Sequence, residues 1–249
     1  MISNISELDH AYGQQDPVEF TWMLQRVRGA KSILEIGSMF GHTLKMMAAV
    51  AAPGARLRCI DLAPNVAYDI DTAPFLRIVI ADLCRAGFDA AVLFDNSRSV
   101  DSIRWAKKSG PYDFVFIDGD HTYEGVRLDF DLFSPFLADG AIIAFHDTLH
   151  EFDGPLRVFV EQVLSSDRFG PAGFSGSIGW AQFRPSDGGR FRRDRLALAR
   201  RCAPLVSLLK DGRNPRGVRK LWFKVLRSRI PHDLPSAASW VARVGLERG

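Results

Sequence analysis

Cysteine is scarce in this chain. Cys59, Cys84 and Cys202 stand far apart, and no CxxC pair occurs. A disulfide-stapled scaffold and a zinc ribbon are therefore excluded, and the cysteines read as small apolar residues of a reduced, cytoplasmic protein. No apolar run reaches the ~18–20 residues of a membrane-spanning helix. Residues 1–7 lack the basic-then-apolar order of a signal peptide, so none is expected. Internal repeats, low-complexity segments, a P-loop Gly-Lys-Ser/Thr and a nucleophile elbow are also missing. Net charge is small, with 32 Lys+Arg against 29 Asp+Glu, but its distribution is lopsided. Residues 1–185 hold 16 Lys+Arg and 24 Asp+Glu, whereas residues 186–249 hold 16 and 5. An acidic body with a basic tail follows.

What is present is ample apolar material. With 249 residues, 47% of them hydrophobic, the chain can bury a core without staples. Apolar runs at 32–37, 56–61, 90–94, 113–118 and 140–146 read as buried strands, with a late strand at 177–183. Amphipathic stretches at 43–51, 74–87, 97–108, 122–133 and 154–165 read as helices between them. Strands apolar on both faces, alternating with helices, indicate an α/β fold: a Rossmann-like, doubly wound, mostly parallel sheet. Three segments are expected: a lead or lid over 1–29, a ligand-binding body over 30–185, and a basic, largely helical extension over 186–249. In such sheets ligands bind beyond the carboxyl ends of the strands. Those ends bring Glu35 and Gly37, Asp61, Asp95-Asn96-Ser97, Asp118, and His146-Asp147.

The turn after the first strand, Glu35-Ile36-Gly37-Ser38-Met39-Phe40-Gly41-His42-Thr43, lets the backbone bend tightly and approach a ligand. Asp61, twenty residues after Gly41, can accept hydrogen bonds from ribose hydroxyls. Met39 stands where a dinucleotide fingerprint needs glycine, which argues against a nicotinamide-dependent oxidoreductase. By itself the turn reads equally as plain strand–turn–helix geometry.

Glu-x-Gly-x-x-x-Gly-x-Thr followed by an acid ending strand two resembles the first motifs of class I S-adenosylmethionine-dependent methyltransferases. Residues 116–126 (FIDGDHTYEGV), then Asp129, Pro135, Leu137, Gly140 and His146-Asp147, resemble the branch of O-methyltransferases that tailor macrolide sugars and cephalosporins. The resemblance covers about residues 30–185. It implies a seven-stranded sheet whose last strand is antiparallel. It also implies that Gly37 and Gly41 pass under the methionine part of the cofactor and that Glu35 supports the loop or the amino group. Asp61 would hold the ribose, and Asn96 and Ser97 would lie at the adenine edge. Ser38, Thr43, Asp118 and Gly119 complete the implied cofactor set.

Methyl transfer to a hydroxyl needs the acceptor proton removed and the oxygen held on the methyl axis. The resemblance makes His121 the base. It also gives Asp118, His146 and Asp147 as ligands for a divalent metal, Mg²⁺ or Mn²⁺. His146 stands where the branch has Glu, which shifts preference away from Mg²⁺. His121 alone is equally read as a strand-end histidine beside a helix start. His42 reads as a substrate contact or a solvated position, and His10 and Tyr12 as part of a lid or a surface helix. Asp120, Glu124 and Asp129 are expected to be solvated charges near a helix N-terminus.

In the tail, Val218, Leu221, Trp222, Val225, Leu226 and Ile230 fall on one helical face, with Arg219, Lys220, Lys224, Arg227 and Arg229 around them. Three readings remain open: docking on the body or on a second subunit as a homo-oligomer, an anionic membrane surface met by Trp222 and Phe223, or nucleic acid, which no stacking platform supports. The expected function is O-methylation of a small-molecule hydroxyl on a sugar or natural product. A non-catalytic cofactor-binding scaffold of a biosynthetic complex is the alternative.

Overall fold

The computed structural model describes residues 16–63, 70–209 and 217–233; His10 and Tyr12 lie outside them. The described residues open with α1 (Pro17–Val27), then β1 (Ser32–Ile36), α2 (His42–Ala48), β2 (Arg56–Asp61), α3 (Ala73–Arg85), β3 (Asp89–Phe94), α4 (Val100–Ser109) and β4 (Tyr112–Ile117). It continues through α5 (Tyr123–Phe133), β5 (Leu137–Phe145), α6 (Asp153–Val158) with a π-helical continuation, β6 (Phe169–Ser175), β7 (Ile178–Phe183), α7 (Arg192–Leu209) and α8 (Val218–Arg227).

The seven strands form one sheet in the order β3-β2-β1-β4-β5-β7-β6. Pairs from β3 through β5 are parallel, and β7 runs antiparallel to both of its neighbours. The order reverses between β1 and β4, which opens a crevice at their carboxyl ends. Successive residues serve opposite cores. Leu34, Ile36, Val115 and Ile117 pack with Val126, Phe130, Phe159 and Cys202. Ile33, Phe114 and Phe116 pack with Trp22, Met23, Leu44 and Leu76 on the other face. That two-sided burial is why these strands read as continuous apolar runs.

Helices α1 and α7 join the same cores. Helix α1 starts at a capping box: the Asp16 side chain accepts N–H bonds from Val18 and Glu19, while Glu19 accepts from the Asp16 N–H. Helix α7 buries Leu198, Cys202, Leu205 and Leu209. Its Arg195 guanidinium, fully buried, donates to the carbonyls of Leu164, Phe169 and Gly188 and pairs with Asp167.

The expected seven-stranded sheet is present, but β6 was the strand whose position the sequence did not locate. Its sequence, FGPAGFS, has the Gly and Pro punctuation of a turn. An edge strand tolerates both, because proline's missing N–H can face outward. Helix α8 also differs from expectation. Its apolar positions divide between two faces: Phe223 and Ile230 are buried, while Val218, Leu221, Trp222 and Val225 face outward. Phe223 therefore belongs to the core and not to an outer surface.

Candidate active site

The turn after β1 is built for close approach. Gly37 adopts φ +82° and Gly41 φ +76°. A Cβ on Gly37 would lie 2.6 Å from the Asp118 carbonyl carbon and 2.7 Å from Gly119 Cα. The loop thus runs directly over the end of β4. Met39 also takes a left-handed conformation, φ +48°, without being glycine. Its turn is held by Asp61, one of whose carboxylate oxygens accepts the Ser38 and Met39 N–H groups at 2.7 Å each. The resemblance gave Asp61 a ribose; in the structure its Oδ2 already serves the loop. Burial raises the Asp61 pKa, with the Met39 and Ser38 N–H bonds opposing.

Glu35 lies beneath the loop and accepts the Ser38 hydroxyl at 2.6 Å. Burial lifts its pKa to about 8, the Ser38 bond opposes, and the neighbouring Asp118 and Asp61 carboxylates add to the rise. Thr43 is buried in the first turn of α2. Asn96 is exposed after β3, where its side chain accepts the Arg98 N–H. Ser97 gives its hydroxyl to Asp129 at 2.6 Å. Asp129 corrects an expectation: it is buried on α5 and not a solvated charge, and burial raises its pKa to about 6. Asp120 pairs with Arg98 at 2.7 Å, and Glu124 pairs with Arg127 at 3.0 Å.

Beyond β4 and β5 lies a cluster of carboxylates and imidazoles. His121 Nε2 sits 3.5 Å from Asp118 Oδ1 and 3.4 Å from Asp147 Oδ2. Its ring stacks on Phe152 at 4.7 Å between centroids. Nε2 is buried and has no hydrogen-bond partner among the described residues. Burial opposes charging of His121, but the nearby Asp118 carboxylate and then the Asp147 charge outweigh it and raise the pKa. Asp147 takes a left-handed conformation, φ +53°, at the turn leaving β5, a strained state of the kind that collects at functional sites.

His146 is buried among carboxylates. Nδ1 lies 3.1 Å from Asp118 Oδ1 and 3.5 Å from Asp147 Oδ1, and Nε2 lies 3.5 Å from Glu19 Oε2. Burial disfavours the cation, yet Asp118 foremost and Glu19 after it lift the pKa to about 11. Asp118 is in turn held below the usual carboxylate range, since the His146 charge overcomes its own burial. Burial pushes Glu19 up, but bonds from His146 and Ser177 hold it at about 2.

Glu19 is the residue that sequence reasoning missed. Its capping-box position signals a helix start, but nothing in the spacing shows that α1 delivers it to the ends of β5 and β7. There the Ser177 N–H donates to it.

The cluster also tests the expected metal set. One ligand atom from each of Asp118, His121 and Asp147 falls within 4.8 Å of the others. Two oxygens and an unbonded imidazole nitrogen suit Mn²⁺ or a similar cation better than Mg²⁺. His146, expected in that set, lies beside the same two carboxylates, with its Nε2 3.5 Å from Glu19.

The sheet order, the antiparallel β7, and a glycine turn crossing the end of β4 beside the β2 acid define a class: the Rossmann-like fold of class I methyltransferases. Residues 34–148 match the family model described as a methyltransferase domain. Among curated proteins the chain is similar to tapetum-specific methyltransferase 1 of Arabidopsis thaliana, with 29% identity over 161 residues, 60% of this chain. The chain spans 64% of that relative's length. Among solved structures it is similar to an O-methyltransferase from Bacillus cereus in complex with SAH, with TM-score 0.54, 17% identity and coverage of 72% of this chain and 87% of that one. It is also similar to MycE methyltransferase from the mycinamycin biosynthetic pathway in complex with Mg and SAH. There the TM-score is 0.50, with 14% identity and coverage of 73% and 54%. At these identities the solved structures speak for the fold.

Proposed function

We propose that this protein transfers a methyl group from S-adenosylmethionine to a hydroxyl of a small molecule, a sugar or a tailored natural product. The observation that carries the proposal is a juxtaposition. The turn from Gly37 to Gly41, clamped by Asp61, abuts Asp118, and Asp118 lies in contact with His121 and His146. A cationic sulfonium suits this acidic crevice, where Asp118 and Asp147 lie close together. Methyl transfer to oxygen is an in-line displacement that calls for positioning and removal of one proton.

In this reading Gly37, Ser38 and Gly41 form the cofactor's backbone cradle, with Glu35 and Asp61 holding its shape. Thr43, Asn96, Ser97 and Gly119 border it. His121 is the base: Nε2 takes the hydroxyl proton, and the Asp118 and Asp147 carboxylates stabilise the imidazolium. Phe152 keeps the ring in place by stacking.

A second reading rests on the same atoms. Asp118, His121 and Asp147 would hold a divalent cation, and such a cation lowers the pKa of a hydroxyl bound to it. In that case Nε2 is a ligand and the base lies elsewhere.

Calorimetric titration with S-adenosylmethionine tests the proposal, with EDTA and then with Mn²⁺ or Mg²⁺, followed by turnover on a panel of sugar and phenolic hydroxyls. Micromolar binding that is lost in Asp61→Ala is the expected result. His121→Ala is expected to keep cofactor affinity and to lose ~10²–10⁴ in turnover. Full turnover in EDTA selects the base reading, and turnover restored only by a cation selects the second. Absence of cofactor heat in ligand-free protein would refute both.

A further inference from the structure

Helix α8 has two apolar faces, and the fold uses one of them. Phe223 and Ile230 are buried, with Leu226 packed beside them against the core. On the other side Val218, Leu221, Trp222 and Val225 are 72%, 63%, 54% and 37% exposed. At 3.6 residues per turn these four fall within an arc of about 100°. Lys224 borders that arc on one side and Arg219 on the other, while Lys220 and Arg227 lie behind it. Residues 218–229 contain five Lys+Arg and no Asp or Glu.

We propose that this outward face docks on an anionic lipid bilayer, with α8 lying in the plane of the interface. Charge complementarity supports that occupant: a strip of apolar and aromatic side chains edged by cations matches a headgroup boundary with negative surface potential. Size supports it as well. Four side chains on one short helix expose a patch of roughly a few hundred Å², well short of the ~800 Å² per partner of a stable protein interface. A bilayer has no such threshold, because apolar burial and lipid charge add along the helix. No helix among the described residues is long and apolar enough to cross a membrane, so the contact is peripheral.

The position of α8 gives the contact a direction. Lys220 Nζ pairs with Glu151 Oε1 at 3.1 Å. Glu151 belongs to the loop that follows β5, which also holds Asp147, His150 and Phe152 around His121. Lys220 lies about 150° around the helix from the outward arc, so this loop sits on the body side of α8, about one helix diameter (~10 Å) from the docked face. The docking itself stands whether or not the site transfers methyl groups.

The test is co-sedimentation of the full chain with phosphatidylcholine vesicles, with and without phosphatidylserine, at low and high salt. Binding is expected only with phosphatidylserine, weakening as salt is added. The part of the tryptophan emission that Trp222→Phe removes should shift to the blue on binding. Leu221→Glu and, separately, the pair Lys224→Glu and Arg227→Glu should each weaken binding at least about tenfold. Leu221 and Lys224 are exposed and Arg227 is half-buried, so Leu221→Glu and Lys224→Glu alone should also weaken binding, with thermal melting near wild type. Three results would overturn the proposal: no sedimentation with anionic vesicles, equal binding to neutral ones, or a dimer in sedimentation velocity that Trp222→Glu dissociates. The last would assign the face to a second copy of the chain.

Discussion

Substituting Gly37 by Ala probes whether the loop over β4 is held by close approach as well as by backbone conformation. Two costs add there. At φ +82° an L side chain costs roughly 1–2 kcal/mol. The new Cβ would also meet the backbone of Asp118 and Gly119, its nearest heavy atoms all within 2.7 Å. Backbone cannot rotate away as a side chain can, so the loop and the end of β4 must separate, at ~1–3 kcal/mol by analogy with overpacked cores. The alanine recovers ~0.4–1 kcal/mol through the unfolded chain. The net loss is about 1–4.5 kcal/mol, centred near 3. Gly87 supplies the control: its φ is +91°, but nothing lies within 4 Å of an added Cβ. Gly87→Ala should cost only about 1 kcal/mol. Urea unfolding of both variants beside wild type gives the two values, and calorimetry with S-adenosylmethionine gives the functional consequence. Gly37→Ala should lose cofactor affinity and Gly87→Ala should keep it. Equal destabilisation of the two, with unchanged cofactor binding, would refute the close-approach argument.

The buried carboxyl of Glu35 makes stability fall with pH. Its folded pKa of about 8 lies above the ordinary 4.5, so the folded state binds more protons between these values. The contribution is complete below the ordinary value and is lost as pH rises through about 8. Glu35→Gln should flatten urea stability between pH 5 and 9, and an unchanged slope would contradict the assignment. The Glu19–His146 contact should appear as coupling. Glu19→Gln leaves the His146 cation with Asp118 and Asp147 but takes away its third carboxylate, at ~1–3 kcal/mol, and combined with His146→Gln it should cost less than the two single losses summed; additive losses in thermal melts would count against it. Disrupting Arg195 by Arg195→Met leaves the carbonyls of Phe169 and Gly188 without their donor. Thermal melts should then show a loss of ~2–4 kcal/mol.

Much of the fold was legible because β1 to β5 are buried on both faces and so read as uninterrupted apolar runs. The strand-end acids followed from the same reading. What escaped depends on contacts distant in sequence. Spacing could not show that both His121 and His146 face Asp118 and Asp147, or that Glu19, arriving from α1, closes on His146 from the other side. Asp129 looked like a solvated helix charge, since the Ser97 hydroxyl that accompanies its burial lies 32 residues away. The outward side of α8 was misjudged because six apolar positions fit one broad face, and only packing shows that Phe223 turns inward while Trp222 turns out. Strand β6 escaped for a local reason, its Gly and Pro content.

The burial of Arg195 has a consequence for how the molecule comes apart. The composition changes abruptly near residue 186, yet the guanidinium nine residues later fastens the carbonyls of Leu164, Phe169 and Gly188 together. Acidic body and basic tail are thereby joined below the surface. A protease that cuts at the charge boundary should leave the two fragments associated until denaturant is added, and heating should melt them in a single transition.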